Sequence, residues 1–146
     1  MHAEKVYRNP TLRQLRDQQV RFAPREKKLE QVDRAEKLLH EIEDKRTYTF
    51  EYLCYRITDY RPEVTPNCRI TGKDAAHDLR LFVEDVSDAA NVTAEDAGEP
   101  VLTVDELSRM FNVSTKTISR WRQQGLVSRR FVFDGRKRVG FLKRSV

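Results

Sequence analysis

The sequence holds only two cysteines, five glycines and five prolines in 146 residues, and its apolar residues never gather into a long run. Each scarcity excludes something. No stretch approaches the roughly 18 apolar residues that a membrane span needs. The opening MHAEKVYRNP lacks the apolar segment of a secretory signal. The cytoplasm is the expected location, and no membrane partner is expected. Cys54 and Cys68 stand 14 positions apart, and His2, His40 and His77 are scattered. Zinc needs four ligands at matched spacing, so the cysteines read as reduced, half-buried side chains. No metal or other cofactor is expected. A glycine-rich phosphate loop is missing, as is any evident Ser/His/Asp grouping, so no enzymatic activity is expected. His77-Asp78 reads as a surface contact on a helix.

Charge is plentiful and unevenly spread. Apolar residues make up 38% and charged residues 35%, a balance that allows a modest core under exposed helices. Residues 1–100 carry 17 Lys/Arg against 20 Asp/Glu, a net of −3. Residues 101–146 carry 11 Lys/Arg against three acids (Asp105, Glu106 and Asp134), a net of +8. A segment so basic points to a polyanion partner.

Patterning predicts a mainly α protein: a helical N-terminal region followed by a C-terminal winged helix-turn-helix with a small β-hairpin. Asn9-Pro10 fits an N-cap followed by proline at the first helical position. Leu12, Leu15 and Gln19 share one face, which Phe22 continues, and Ala23-Pro24 stops the helix. From Arg25 to about Asp44, Leu29, Val32, Leu39 and Ile42 recur at helical steps, with Ala35 and Leu38 beside them. The aromatic-rich stretch from Thr47 to Ile57 fits a buried helix or a strand, with helix preferred. Asp59, Pro62, Pro66 and Asn67 make residues 58–70 a loop. Thr71 reads as an N-cap with Asp74 three residues on. The helix that follows, to about Ala90, has Ala75, Leu79, Phe82, Val83 and Val86 on one face. Residues 1–90 are thus expected to be a helical docking region or scaffold.

Between Glu84 and Glu99 there are six acids and no lysine or arginine, with Gly98 and Pro100 at the end. Residues 91–100 read as a solvated linker and a domain boundary. The alternative is that this acidic run folds over the basic third in the manner of a DNA mimic.

The last third, residues 101–146, carries the functional signal. Thr103 and Glu106 form a capping box, and Val104, Leu107 and Phe111 supply an inward face with Met110 at its edge. Asn112 tolerates the left-handed conformation of a tight turn, Val113 plugs the angle, and Ser114 caps a second helix from Thr115 to Gln124 that stops at Gly125. This is the spacing of a helix-turn-helix. On the second helix Ile118 and Trp121 turn inward. Lys116, Ser119, Arg120 and Gln123 occupy the opposite arc, with Ser114 and Thr115 at its start. Arginine can chelate guanine, glutamine adenine, and serine a phosphate or a base edge. Asp134-Gly135 then predicts the type I′ turn of a hairpin. Its tip presents Arg136, Lys137 and Arg138, with Arg129 and Arg130 at its base, as a wing along phosphates or in the minor groove. The expected ligand is double-stranded DNA.

With its threonine-led first helix, an N-V-S-x-x-T turn (Asn112 to Thr117) and a W-x-x-x-G-L exit (Trp121 to Leu126), the last third resembles the winged helix-turn-helix of MerR and excisionase proteins. Four blocks together resemble, in the same order, the leading region of certain bacterial sigma-70-family RNA polymerase sigma factors. They are LRDQQVRFAPREKKLEQVDRAEKLL, TFEYLCYRITDYRPE, HDLRLFVEDVSDAA and LTVDELSRMFNVSTKTISRWRQQGLVSRRFVFDGRKRVGF. That resemblance implies a part in transcription, with RNA polymerase as a protein partner. The sequence ends at Lys143-Arg144-Ser145-Val146, where a further helix is expected after the wing, and nothing corresponds to the polymerase-gripping and promoter-reading helices of a sigma factor. The expectation is a piece of a longer sigma factor or a short relative that keeps the leading module. The alternatives are a stand-alone MerR-like or excisionase-like regulator, and an adaptor whose N-terminal helices dock on RNA polymerase.

Overall fold

Caps and prolines set the first boundaries. The computed structural model describes residues 6–62 and 68–146. Helix α1 (Pro10–Phe22) begins where the Asn9 side chain accepts the N–H groups of Thr11 and Leu12, and it ends at Ala23 before Pro24. Helix α2 (Arg25–Glu41) follows at once. The two bury Leu12, Leu15, Val32, Ala35 and Leu38. Phe22 departs from expectation and is 74% exposed. It lies at the end of α1 on the solvent side of the last turn, and the Arg21 guanidinium sits 5.8 Å from its ring centroid.

The ambiguous aromatic stretch divides into a short strand and a helix, β1 (Thr47–Thr49) and α3 (Phe50–Thr58), with Thr49 capping the helix through the N–H of Tyr52. The expected loop at 58–70 is cut short by β2 (Arg69–Thr71), which pairs antiparallel with β1 in the register Thr47↔Thr71. Pro66 and Asn67 lie outside the described residues. Thr71 caps α4 (Gly72–Ala90) by accepting the N–H of Asp74. Ala75, Leu79, Phe82, Val83 and Val86 are all buried, in one core with Leu53, Ile57 and the apolar faces of α1 and α2. The start of α4 lies against the chain after α2: a Cβ on Gly72 would stand 1.8 Å from the Glu43 carbonyl oxygen.

His77 and Asp78 are not a surface contact. Both are buried in α4, where they hold the segment before α1. The Asp78 carboxylate accepts the N–H groups of Arg8 and Asn9 at 2.8 Å each, and His77 Nε2 lies 2.9 Å from the Val6 carbonyl oxygen. Burial raises the Asp78 pKa above the usual carboxylate value, and those two backbone hydrogen bonds oppose the shift.

The remainder comprises β3 (Val101–Thr103), α5 (Val104–Phe111), α6 (Thr115–Gln124), β4 (Arg129–Phe133) and β5 (Arg136–Leu142). The strands form an antiparallel sheet in the order β3-β5-β4, with Val101 opposite Leu142 and Arg129 opposite Gly140. Strand alternation gives this sheet two apolar faces. Phe141 packs with Leu107 of α5 and Ile118 of α6, whereas Phe131 and Leu142 pack with Ala90 and Val92. Gly140 admits the second packing, since a Cβ there would lie 2.8 Å from both the Phe131 ring and Val101 Cγ1.

The acidic stretch expected to be a solvated linker is partly packed. Val92 is buried, its carbonyl accepts the N–H of Val132 at 2.8 Å, and the N–H of Ala94 donates to the Val132 carbonyl at 3.1 Å. Strand β4 is a sheet edge whose outward groups need partners, and residues 92–94 supply them. The architecture is mainly helical with a small β region near the C-terminus. Among the described residues, no helix is long and apolar enough to cross a membrane.

The backbone contact at Gly72 leaves no room to relax. Gly72→Ala is expected to lower unfolding stability by about 3 kcal/mol, at the upper end of ordinary overpacking. Urea denaturation measures this, and an unchanged midpoint would show that the approach of Glu43 is not as close as described.

Candidate nucleic-acid interface

The expected capping box forms at the start of α5. Thr103 Oγ1 accepts the N–H of Glu106, and Glu106 Oε1 accepts the N–H of Thr103, each at 3.1 Å. The helix ends at Asn112 in the left-handed conformation, φ 53°. The turn is tied down twice: the N–H of Val113 donates to the Ser108 carbonyl at 3.0 Å, and the Ser108 hydroxyl donates to the Val113 carbonyl. Ser114 then caps α6 by accepting the N–H of Thr117 at 3.2 Å. Gly125, at φ 130°, ends the helix.

Leu107, Ile118 and Phe141 form the small core that sets the two helices against the sheet, with Val113, Trp121 and Leu126 packed around it. Trp121 therefore packs beside Ile118. Phe111, expected to point inward, stands at the margin, 45% exposed and edge-on to Trp121 at 5.5 Å between ring centroids. It is the last residue of α5, where the chain turns away. Beside it lies an open, mostly apolar cleft lined by Leu107, Phe111, Trp121, Gln124, Leu126 and Val146.

With Ile118 held inward, the opposite arc of α6 faces solvent. Ser114, Thr115, Lys116, Ser119, Arg120 and Gln123 are all exposed. The hairpin has its two-residue turn, with Asp134 at φ 48° and Gly135 at φ 80° as a type I′ turn requires. Arg136, Lys137 and Arg138 follow it and are exposed.

The basic residues of this third fall into two groups. Lys116, Arg120, Arg136 and Arg138 have no ion-pair partner among the described residues, nor do Arg109 and Lys143. The other five are held by acids from earlier in the chain. Arg122 pairs with Glu84 at 3.0 Å, and Arg144 pairs with Asp33 at 3.2 Å and Glu99 at 3.4 Å. Arg130 and Lys137 meet at Asp88.

Arg129 is the extreme case. Its Nε lies 2.6 Å from Glu36 Oε1 and its Nη2 lies 2.8 Å from Asp33 Oδ1, with the Arg129 and Glu36 side chains 10% and 7% exposed. Burial disfavours the Arg129 charge, but hydrogen bonds and attraction from Glu36 and then Asp33 outweigh it and raise its pKa. Read from sequence as a phosphate contact at the base of the wing, Arg129 lies inside the contact between sheet and helices. Strand alternation carries the signal for this, because Arg129 shares a face with the apolar Phe131 and Phe133. Nothing in sequence marks Arg122 and Arg144 as partners of Glu84 and Asp33, since those pairings span long separations.

Comparison of the chain with protein-family models, with curated proteins and with solved structures gave no match.

The partition carries a stability consequence. Arg129→Ala leaves Glu36 buried without its cation, and about 3 kcal/mol of stability should be lost. Arg136→Ala, at an exposed residue, should change stability by less than about 0.5 kcal/mol. Equal denaturation midpoints for the two variants would remove Arg129 from the interior.

Proposed function

We propose that this chain binds duplex DNA as a winged helix-turn-helix, with α6 in the major groove and the β4–β5 hairpin along the phosphate backbone. The observation that carries this reading is the partition of charge. Five basic residues of the last third are neutralised within the molecule; six stay exposed and free of acidic partners among the described residues, and four of these are Lys116, Arg120, Arg136 and Arg138. These four lie on the one helix and the one hairpin where groove and backbone contacts are expected. Lys116 and Arg120 suit the acceptor edge of guanine, Gln123 the edge of adenine, and Ser119 either a base or a phosphate. Ser114 and Thr115 stand at the N-terminal end of α6, where helix N–H groups favour a phosphate.

The likeness of residues 101–146 to MerR-type and excisionase-type segments supports the same assignment. The four blocks that resemble the leading region of sigma-70-family factors support a role in transcription, with RNA polymerase as protein partner.

Selection from a random-sequence duplex pool, followed by fluorescence anisotropy over a salt series, tests this. Arg120→Ala should weaken binding to the selected site about tenfold or more, the discrimination expected of one bidentate base contact. Joint replacement of Arg136 and Arg138 by alanine should weaken binding to all duplexes and flatten the log–log salt slope by about 1.8, or about 0.9 for each phosphate no longer neutralised. Undiminished binding by both variants would sink the proposal.

A further inference from the structure

Two basic residues of the hairpin are held by an acid that a phosphate can replace. Asp88 lies in the last turn of α4. Its carboxylate is 3.4 Å from Arg130 Nε on β4 and 3.5 Å from Lys137 Nζ on β5, and its backbone carbonyl accepts a 2.8 Å hydrogen bond from the same ammonium. One anion thus bridges a cation from each strand. A nucleic-acid phosphate bridges neighbouring basic side chains in the same way.

The surroundings decide whether the exchange is possible. Glu36 and Arg129 are sealed in the interior, and no phosphate reaches them. The Asp88, Arg130 and Lys137 side chains remain 41%, 35% and 37% exposed. Ion pairs this open to water are individually weak, so replacing carboxylate by phosphate costs little. The end of α4 also attracts cations, because its last turn contains no basic residue and the helix dipole is negative there. Lys137 answers that field and is drawn towards α4.

We propose that Asp88 is a built-in competitor for the DNA backbone, holding Arg130 and Lys137 in the free protein and giving way to a phosphate on binding. This rests on the duplex-binding reading above and adds an autoinhibitory contact to it. The free protein then meets DNA with Arg136 and Arg138, and the Asp88 contact sets how much Arg130 and Lys137 add. The acidic stretch acts through this one carboxylate at the hairpin, not as a diffuse negative cloud.

Full-length protein and a fluorescently labelled duplex of mixed sequence, about two helical turns long, provide the test. Asp88→Asn should tighten binding by roughly five- to tenfold at low salt, the scale set by two exposed ion pairs. In a Lys137→Gln background most of that gain should vanish. Glu95→Gln removes the same charge from an exposed residue of the acidic stretch and should leave affinity within about twofold. The inference is overturned if Asp88→Asn gains no more than Glu95→Gln, or if its gain persists in full without Lys137. Should Asp88→Asn fail to fold, Asp88→Ser carries the same expectations. Absence of duplex binding by the wild-type protein and every variant overturns the duplex-binding reading itself, which separates the two failures.

Discussion

Arg129 crosses from the sheet to α2 and sets its guanidinium between Asp33 and Glu36. The relation between the two halves of the molecule depends on this contact. An arginine in the interior is stable only when its charge is met and its N–H groups find acceptors. Asp33 and Glu36 of α2 meet those conditions together, and the pairing ties β4 to the helices at a defined position. Phe131 and Leu142 then reach Ala90 and Val92, and Ser87 Oγ accepts the N–H of Arg130 at 2.9 Å. Apolar packing gives that contact its area, and the buried charge gives it one geometry.

The uneven charge of the chain takes on a structural meaning through this contact. A mildly acidic helical body and a strongly basic C-terminal third attract each other, and part of each charge is spent on the other. Asp33, Glu36, Glu84, Asp88 and Glu99 face Arg129, Arg144, Arg122, Arg130 and Lys137. Of the six basic residues left over, four lie on α6 and just after the hairpin turn, while Arg109 lies on α5 and Lys143 follows β5. Net charge by itself overstates the free positive surface, and the pairing shows where it lies.

Local signals in the sequence carried most of the helical architecture. The caps at Asn9, Thr71, Thr103 and Ser114 form as their residue types predict, because a cap is decided within four residues. The turn at Asp134-Gly135 and the exposed arc of α6 were legible for the same reason. Three-residue strands such as β1, β2 and β3 were not, since so short an element shows no periodicity. Packing at element ends was misread at Phe22 and Phe111, where a helical wheel does not show that the chain has turned away. Strand alternation turns Arg129 inward, but its partners Asp33 and Glu36, like the packing of residues 92–94 on β4, lie far off in sequence, where no local pattern names them.

The edge of β4 has a further consequence. Val92 and Ala94 occupy the outward N–H and C=O groups of Val132, and Ser87 occupies the N–H of Arg130. A fragment that begins at Val101 would keep the two helices and the hairpin but leave this strand bare beside an uncovered Phe131. Such an edge is a template for another strand of the same kind, so the excised module would tend to self-associate. Within the chain, the helical body fills the place on that edge that another strand would take.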